Sequence, residues 1–141
     1  MRPPTGPDLC YALAARKTAR YVSRLYDTHL ASTGLSISQF SILSLLEAHG
    51  RLKISELADM LIMERTSLVR ALKPLQVSGW VATQPSGSGR AFDITLARAG
   101  RKKIAEAAPL WKTAQSAFEA EIGRDRAIRL RDEVLDLNLG G

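Results

Sequence analysis

A single cysteine, Cys10, rules out any disulfide within the chain. Histidine is nearly as scarce. His29 and His49 fall on different predicted helices with no partner at ligand spacing, which excludes a zinc site. Aromatic residues make up 6% of the sequence, and alanine and leucine dominate, a balance that favours helices over a sandwich or barrel. No apolar run approaches the roughly 18 residues a membrane span needs. No secretory apolar segment follows Met1, so a cytoplasmic protein is expected. Catalytic signatures are missing as well. There is no paired-carboxylate pattern, no nucleophile–base set and no phosphate-cradling loop, because SGSG is short and precedes a strand rather than a helix. No enzyme activity, metal or cofactor is therefore expected.

What is present points to a small helical protein with an anionic partner. The chain has 141 residues, enough for one domain, and 45% of them are apolar, enough for a core. Lysine and arginine number 20 against 14 acidic residues, leaving a formal charge of +6. That excess suits nucleic acid or an acidic membrane face. The opening MRPPTGPD holds three of the six prolines and reads as an extended arm, with Asp8 placed to cap the helix that follows.

From Leu9 to about Ser32, Ala12, Ala15, Ala19, Val22 and Tyr26 recur at helical spacing, and Gly34 supplies a stop. Ser36 or Ser38 starts a second helix with Phe40, Leu43 and Leu46 inward and Leu45 a further inward position, ending at His49-Gly50. Leu52-Lys53-Ile54 suits one strand rung. Ser55 is placed to cap a short helix, Glu56 to Leu61. A further helix begins near Glu64-Arg65-Thr66, with Leu68, Val69, Leu72 and Leu75 as its apolar stripe and Gly79 as its stop. Pro74 lies inside it, at an intrinsic cost of about 3 kcal/mol, so either a kink or compensating packing is expected there. VATQP and AFDITL alternate as two strands joined by SGSGR, a hairpin too small to stand alone. Helical period returns from about Ala97, with Pro109 predicting a bend and Gly123 a break. A last helix, Asp125 to Leu137, carries Ile128, Leu130, Val134, Leu135 and Leu137. The outer helices have apolar stripes with little in the chain to cover them, and a partner subunit is the simplest cover.

Residues 53–96 carry the functional signal. A short helix, a sharp turn at Leu61-Ile62-Met63-Glu64 and a second helix with an outward polar face follow the helix-turn-helix pattern. Thr66 and Ser67 are small enough to let the helix start approach a major groove, where its free N–H groups and positive dipole end meet phosphate. Arg70 can pair with a guanine edge. Arg65 flanks the start, and Lys73 lies on the same outward side. The hairpin tip carries Gly87, Gly89 and Arg90, a flexible backbone and a cation suited to the minor groove or its phosphates.

The segments LSISQFSILSLL, KISELADMLIMERTSLVRALKPLQVSGWV and ITLARAG, in this order, resemble the MarR family of winged-helix regulators over about Leu9 to Gly123. RYVSRLYDTHL and APLWKTAQ match a branch of the same family. The resemblance implies a mainly α fold with a small β-hairpin wing, a winged helix-turn-helix whose N- and C-terminal helices form a dimerisation domain. Residues 1–35 would be the arm and dimerisation helix, 36–96 the DNA-binding lobe, and 97–141 the C-terminal dimerisation helices. It implies a homodimeric, sequence-specific regulator on double-stranded DNA, acting as a repressor at a pseudo-palindromic operator. Arg65, Thr66, Ser67, Arg70 and Lys73 of the second helix and Arg90 of the wing would be the DNA contacts. Ser88 stands where the family often has an acidic residue that buttresses the wing arginine. Ala97 stands where a threonine often caps the fifth helix, which implies a less defined helix start.

Family members commonly release DNA on binding a small aromatic or phenolic effector. The matching candidates are Arg20, to pair with a carboxylate, and Tyr26, His29 and Trp111, to line the pocket. Position alone also fits Tyr26 and Trp111 to an interface core. One branch instead senses peroxide with a cysteine near the start of the first helix, and LCYAL resembles that context, making Cys10 a redox candidate. On a continuous helix Cys10 projects roughly opposite to Tyr26, since each residue turns about 100°. A non-specific architectural DNA-binding protein is the remaining alternative. It would share the charge and the dimer without sequence preference.

Overall fold

Two long helical segments, one at each end of the chain, flank a lobe of three shorter helices and a small sheet. The computed structural model describes residues 2–87, 92–137 and 139. The order is α1 (Tyr11–Leu30), α2 (Ile37–His49), β1 (Leu52–Lys53), α3 (Ile54–Leu61), α4 (Arg65–Val77), β2 (Val81–Pro85), β3 (Phe92–Leu96), α5 (Arg98–Ile122) and α6 (Arg124–Asp136). This is the expected mainly α chain with a β-hairpin wing. No helix among the described residues is long and apolar enough to cross a membrane.

Helix ends follow local hydrogen-bond chemistry, with two corrections to the sequence reading. Asp8 does not cap α1. It sits in a short 3-10 turn, Gly6–Leu9, and α1 starts at Tyr11 with Cys10 in the extended cap conformation, its Sγ accepting from the Leu13 N–H at 3.4 Å. Ser55 does not cap α3 either. That helix already begins at Ile54, because the Glu56 carboxylate accepts the Lys53 N–H at 3.0 Å. At α2, Ser36 and Gln39 form a reciprocal capping box at 3.1 and 3.0 Å, an arrangement in which the cap is worth about 1 kcal/mol.

The sheet runs β1-β3-β2, antiparallel throughout. Of the rung expected at Leu52-Lys53-Ile54, Leu52 and Lys53 form an edge strand pairing with Ile94 and Asp93, while Ile54 already begins α3. Ile94 and Leu96 face the core, where the largest fully buried side chains are Leu30, Leu43, Leu46, Leu57, Leu68, Leu72, Leu75 and Ile94. Burial of each such side chain is worth about 1.5–3 kcal/mol. Leu30 comes from α1, and Ile104 and Ala107 of α5 join the same cluster, so the lobe shares its core with the outer helices. Leu72 and Leu75 explain how α4 continues through Pro74. The proline denies the Arg70 carbonyl its helical N–H partner, and the two fully buried leucines beside it hold the turn in place.

The start of α5 is fastened to the end of α4. The Ala97 N–H donates to the Trp80 carbonyl at 2.9 Å, so the helix start is fixed by backbone, although Ala97 provides no side-chain cap. Lys103 adds a second tie. Its Nζ donates to the Thr33 carbonyl at 3.0 Å, pairs with Glu106 at 3.1 Å and lies 5.4 Å above the Trp80 ring. α5 itself continues through Pro109.

Away from the lobe, cover is lost. Of the expected α1 stripe, Tyr26 is buried and Val22 half-buried, whereas Ala12, Ala15 and Ala19 are exposed. Leu130, Val134, Leu135 and Leu137 are likewise exposed on and just after α6.

Candidate nucleic-acid interface

The turn between α3 and α4 is tight because Ile62 adopts a left-handed conformation, φ 54°. A β-branched residue is strained there, at a cost of about 1–3 kcal/mol. The Met63 N–H donating to the Ala58 carbonyl at 2.9 Å helps hold the turn. α4 then leaves at an angle that buries Leu68, Leu72 and Leu75 and turns the opposite face outward. Thr66, Ser67, Arg70 and Lys73 are exposed on it, and Arg65 is exposed as the first residue of the helix. Glu64 is the cap residue, and its side chain makes no capping bond.

Val69 departs from its expected place in the apolar stripe. It is 44% exposed, because at 100° per residue it lies on the shoulder between the buried leucines and Thr66. It lines an open groove of about 450 Å³ together with Lys53, Ser55, Arg65, Thr66 and Phe92. The groove brings α3, the first turns of α4 and the wing strand β3 onto one surface. Lys53, Ser55 and Phe92 are additions to the sequence-derived set. Phe92 shares a strand face with Ile94 and Leu96 but lies beyond the end of the core, and an aromatic residue at that alternation step was the available signal. Arg90 and Ser88 lie outside the described residues.

The effector candidates occupy different surroundings. Tyr26 is buried where α1, α5 and α6 meet, lining a small cavity with Val22, Phe118, Glu119, Ile128 and Arg131, and its hydroxyl donates to Gln115 Oε1. Trp111 is half-buried in a separate shallow cavity with Ser41, Ser44 and Leu45, stacked on Phe40 at 6.1 Å between centroids and 18° between planes. Arg20 is exposed on α1 and His29 is half-buried, and neither lines these two cavities. Cys10 is exposed at the start of α1, far along the helix from Tyr26.

Burial raises the Tyr26 phenol above its ordinary 10.0, and the Glu119 carboxylate acts in the same direction. The folded chain therefore holds this proton more tightly than the unfolded chain. Its contribution to stability is complete below about pH 10 and is lost as pH rises through the raised value. Tyr26→Phe should be less stable than the natural chain near neutral pH by about 1 kcal/mol, because Gln115 loses its donor. That gap should narrow in urea unfolding as pH rises above about 10, and a gap that stays constant would contradict the linkage.

Comparison with known proteins follows the same geometry. A model of the MarR family matches residues 35–91, the span from just before α2 to the wing. None of the curated proteins compared with the chain matches it. Among solved structures, the M. tuberculosis transcriptional regulator MosR in complex with DNA is 30% identical, with a TM-score of 0.80 over 92% of this chain and 93% of that one. The transcriptional repressor CouR bound to a 23-mer DNA duplex is 24% identical, with a TM-score of 0.81 over 96% and 99%. NadR in complex with 4-hydroxyphenylacetate is 22% identical, with a TM-score of 0.74 over 98% and 99%. The family match falls on the lobe that presents α4 and the wing, and the likeness to MosR extends over both outer helices. The chain belongs to the MarR family of winged-helix transcription regulators.

Proposed function

We propose that the chain represses transcription as a homodimer that places its two α4 helices in successive major grooves of a pseudo-palindromic operator. Residues 36–96 form the DNA-binding lobe, and residues 1–35 and 97–141 form the dimerisation part. The observation that carries this reading is the outward face of α4, where Thr66, Ser67, Arg70 and Lys73 are exposed away from three buried leucines, with Arg65 exposed at the helix start. Thr66 and Ser67 allow close approach, and the uncapped helix start offers N–H groups to a phosphate. Arg70 reads a base edge, Arg65 and Lys73 neutralise backbone charge, and Arg90 reaches the minor groove from the wing. The DNA-bound relatives MosR and CouR support the same docking of the shared fold.

Selection of bound duplexes from a random pool tests the proposal directly. A recovered inverted repeat is the expected result, with affinity falling steeply as salt rises. Equal affinity for selected and scrambled duplexes would favour a non-specific architectural role. On the selected site, Arg70→Ala should cost about 1–3 kcal/mol of discrimination. Arg90→Ala should weaken all sequences alike and lower the salt slope by about one. The opposite pattern would exchange the two roles.

Release by a small aromatic anion belongs to the same reading. The Phe40–Trp111 stack, opening beside Ser41 and Ser44, supplies an aromatic slot between α2 and α5, and NadR shows that this fold holds 4-hydroxyphenylacetate. An effector acts there by favouring a lobe spacing that does not fit DNA. Phenolic acids added to the binding assay should raise the apparent Kd, and Trp111→Ala should abolish that response.

A further inference from the structure

Arg51 stands between α2 and β1, outside every helix and strand, with its side chain 49% exposed. Its guanidinium nevertheless grips the wing twice. Nε donates to Asp93 Oδ2 at 2.7 Å, and Nη2 donates to Gln84 Oε1 at 2.7 Å. Gln84 and Asp93 face each other across the β2–β3 pair, and Asp93 also faces Lys53 on β1. This is the last rung at which the sheet has three strands. At the next, Pro85 opposite Phe92, only the two wing strands remain paired. The fork of Arg51 therefore closes on the rung where the wing leaves the lobe.

Two features make this more than a surface ion pair. A two-stranded hairpin has little of its own to fix its direction, so whatever holds its root decides how β2 and β3 leave the lobe. Asp93 also depends on Arg51. Its side chain is 14% exposed, and Oδ1 is buried without a hydrogen-bond partner among the described residues, so losing Arg51 would leave a mostly buried carboxylate with neither oxygen paired to a described side chain. The planar fork of arginine spans both wing strands at once, which a lysine ammonium does not do.

We infer that Arg51 is a positioning residue that sets the direction of the wing through Asp93 and Gln84, and so holds the wing against DNA. The inference rests on the proposed DNA contact of the wing. It carries a distinctive sign. Deleting an acidic charge from a DNA-binding face ordinarily strengthens binding, because phosphate repulsion is removed. Here Asp93→Asn should weaken it.

The test uses the full chain and a duplex selected by it from a random pool, titrated at several salt concentrations, with thermal unfolding measured alongside. Asp93→Asn and Arg51→Ala should each weaken binding by about tenfold, the value of one lost groove or phosphate contact, and lower the salt slope by about one. The double variant should bind no worse than either single one. Arg51→Lys separates the roles, since it keeps the charge and loses the fork. It should bind like Arg51→Ala. Asp93→Asn, which leaves no unpaired charge behind, should unfold within a few degrees of the natural chain, whereas Arg51→Ala should unfold lower because the Asp93 carboxylate loses its partner. The inference is overturned if Asp93→Asn binds as tightly as the natural chain or tighter, if Arg51→Lys binds normally, or if the stability of Asp93→Asn falls in step with its affinity. A natural chain that binds no duplex would sink the DNA reading and this role with it. Normal binding by the natural chain and Asp93→Asn alike would sink the clamp alone.

Discussion

Gly100→Ala should lower stability by about 2–4 kcal/mol, even though alanine is intrinsically the better helix residue by about 1 kcal/mol. Gly100 is the third residue of α5 and is buried. A methyl carbon there would lie 2.1 Å from the Trp80 carbonyl oxygen and 2.6 Å from Leu96 Cδ1. The leucine can rotate away, but the carbonyl cannot. It accepts the Ala97 N–H at 2.9 Å, while the Trp80 N–H donates to the Leu75 carbonyl at 2.9 Å, so the residue is held on both sides. Relief requires α5 to slide off the α4–β2 junction, giving up the Ala97 bond and disturbing Lys103 over the Trp80 ring. Thermal unfolding at fixed protein concentration should show a fall of roughly 6–12 °C. Gly87→Ala is the control. No atom of the described residues lies within 4 Å of its added methyl, and a change within about 0.5 kcal/mol is expected. An unchanged melting temperature for Gly100→Ala would show that the helix start is free to move.

That glycine also marks where local reading stops. Its presence after ITLARA is plain in the sequence, but its reason is a contact with Trp80, on another element. Features governed by period were legible. Leu68, Leu72 and Leu75 fall at helical steps, Ile94 and Leu96 alternate, and Gly34 closes its turn with φ 80°. Features decided by competition between neighbouring groups were less so. Asp8 and Cys10 both stand before α1, and the weaker sulfur acceptor takes the cap because a turn beginning at Gly6 engages Asp8. Ser55 and Glu56 compete in the same way at α3, where the longer carboxylate reaches back to Lys53.

The candidate site divides along the same line. Thr66, Ser67, Arg70 and Lys73 follow from which side of one helix is apolar, and Arg65 from where that helix starts, questions the sequence answers by itself. Val69 lies at the edge of that stripe, and periodicity alone does not say on which side of a boundary such a residue falls. Lys53 and Phe92 join α4 only because β1 pairs with β3, a long-range register that no local pattern contains. The Arg51 fork depends on the same register.

Val134→Asp should convert the proposed dimer to monomers and weaken binding to the selected inverted repeat on the order of 10²-fold or more, while leaving each monomer folded. On α6, Ala127, Leu130 and Val134 recur at three- and four-residue steps, and the stripe continues to Leu137. Ala127 is buried within the chain, whereas Val134 is 50% exposed and Leu137 64%. The stripe thus begins under cover and runs out from it. The first turns of α1 repeat the pattern, with Tyr11 93% exposed and Ala12, Ala15 and Ala19 uncovered. Two copies pairing through these helices would bury both stripes, each large side chain contributing about 1.5–3 kcal/mol. A carboxylate at Val134 would enter that surface without a partner, at a cost of several kcal/mol. In the monomer it stays in water and costs little. Sedimentation at micromolar concentration should show the change of mass, with the helical circular dichroism retained. The natural chain, paired as proposed, should bind a full inverted repeat far more tightly than one half-site, because the second lobe docks at high effective concentration. The variant should bind both duplexes with nearly the same affinity. A Val134→Asp chain that sediments as a dimer and keeps the preference for the full site would show that the subunits meet through another surface.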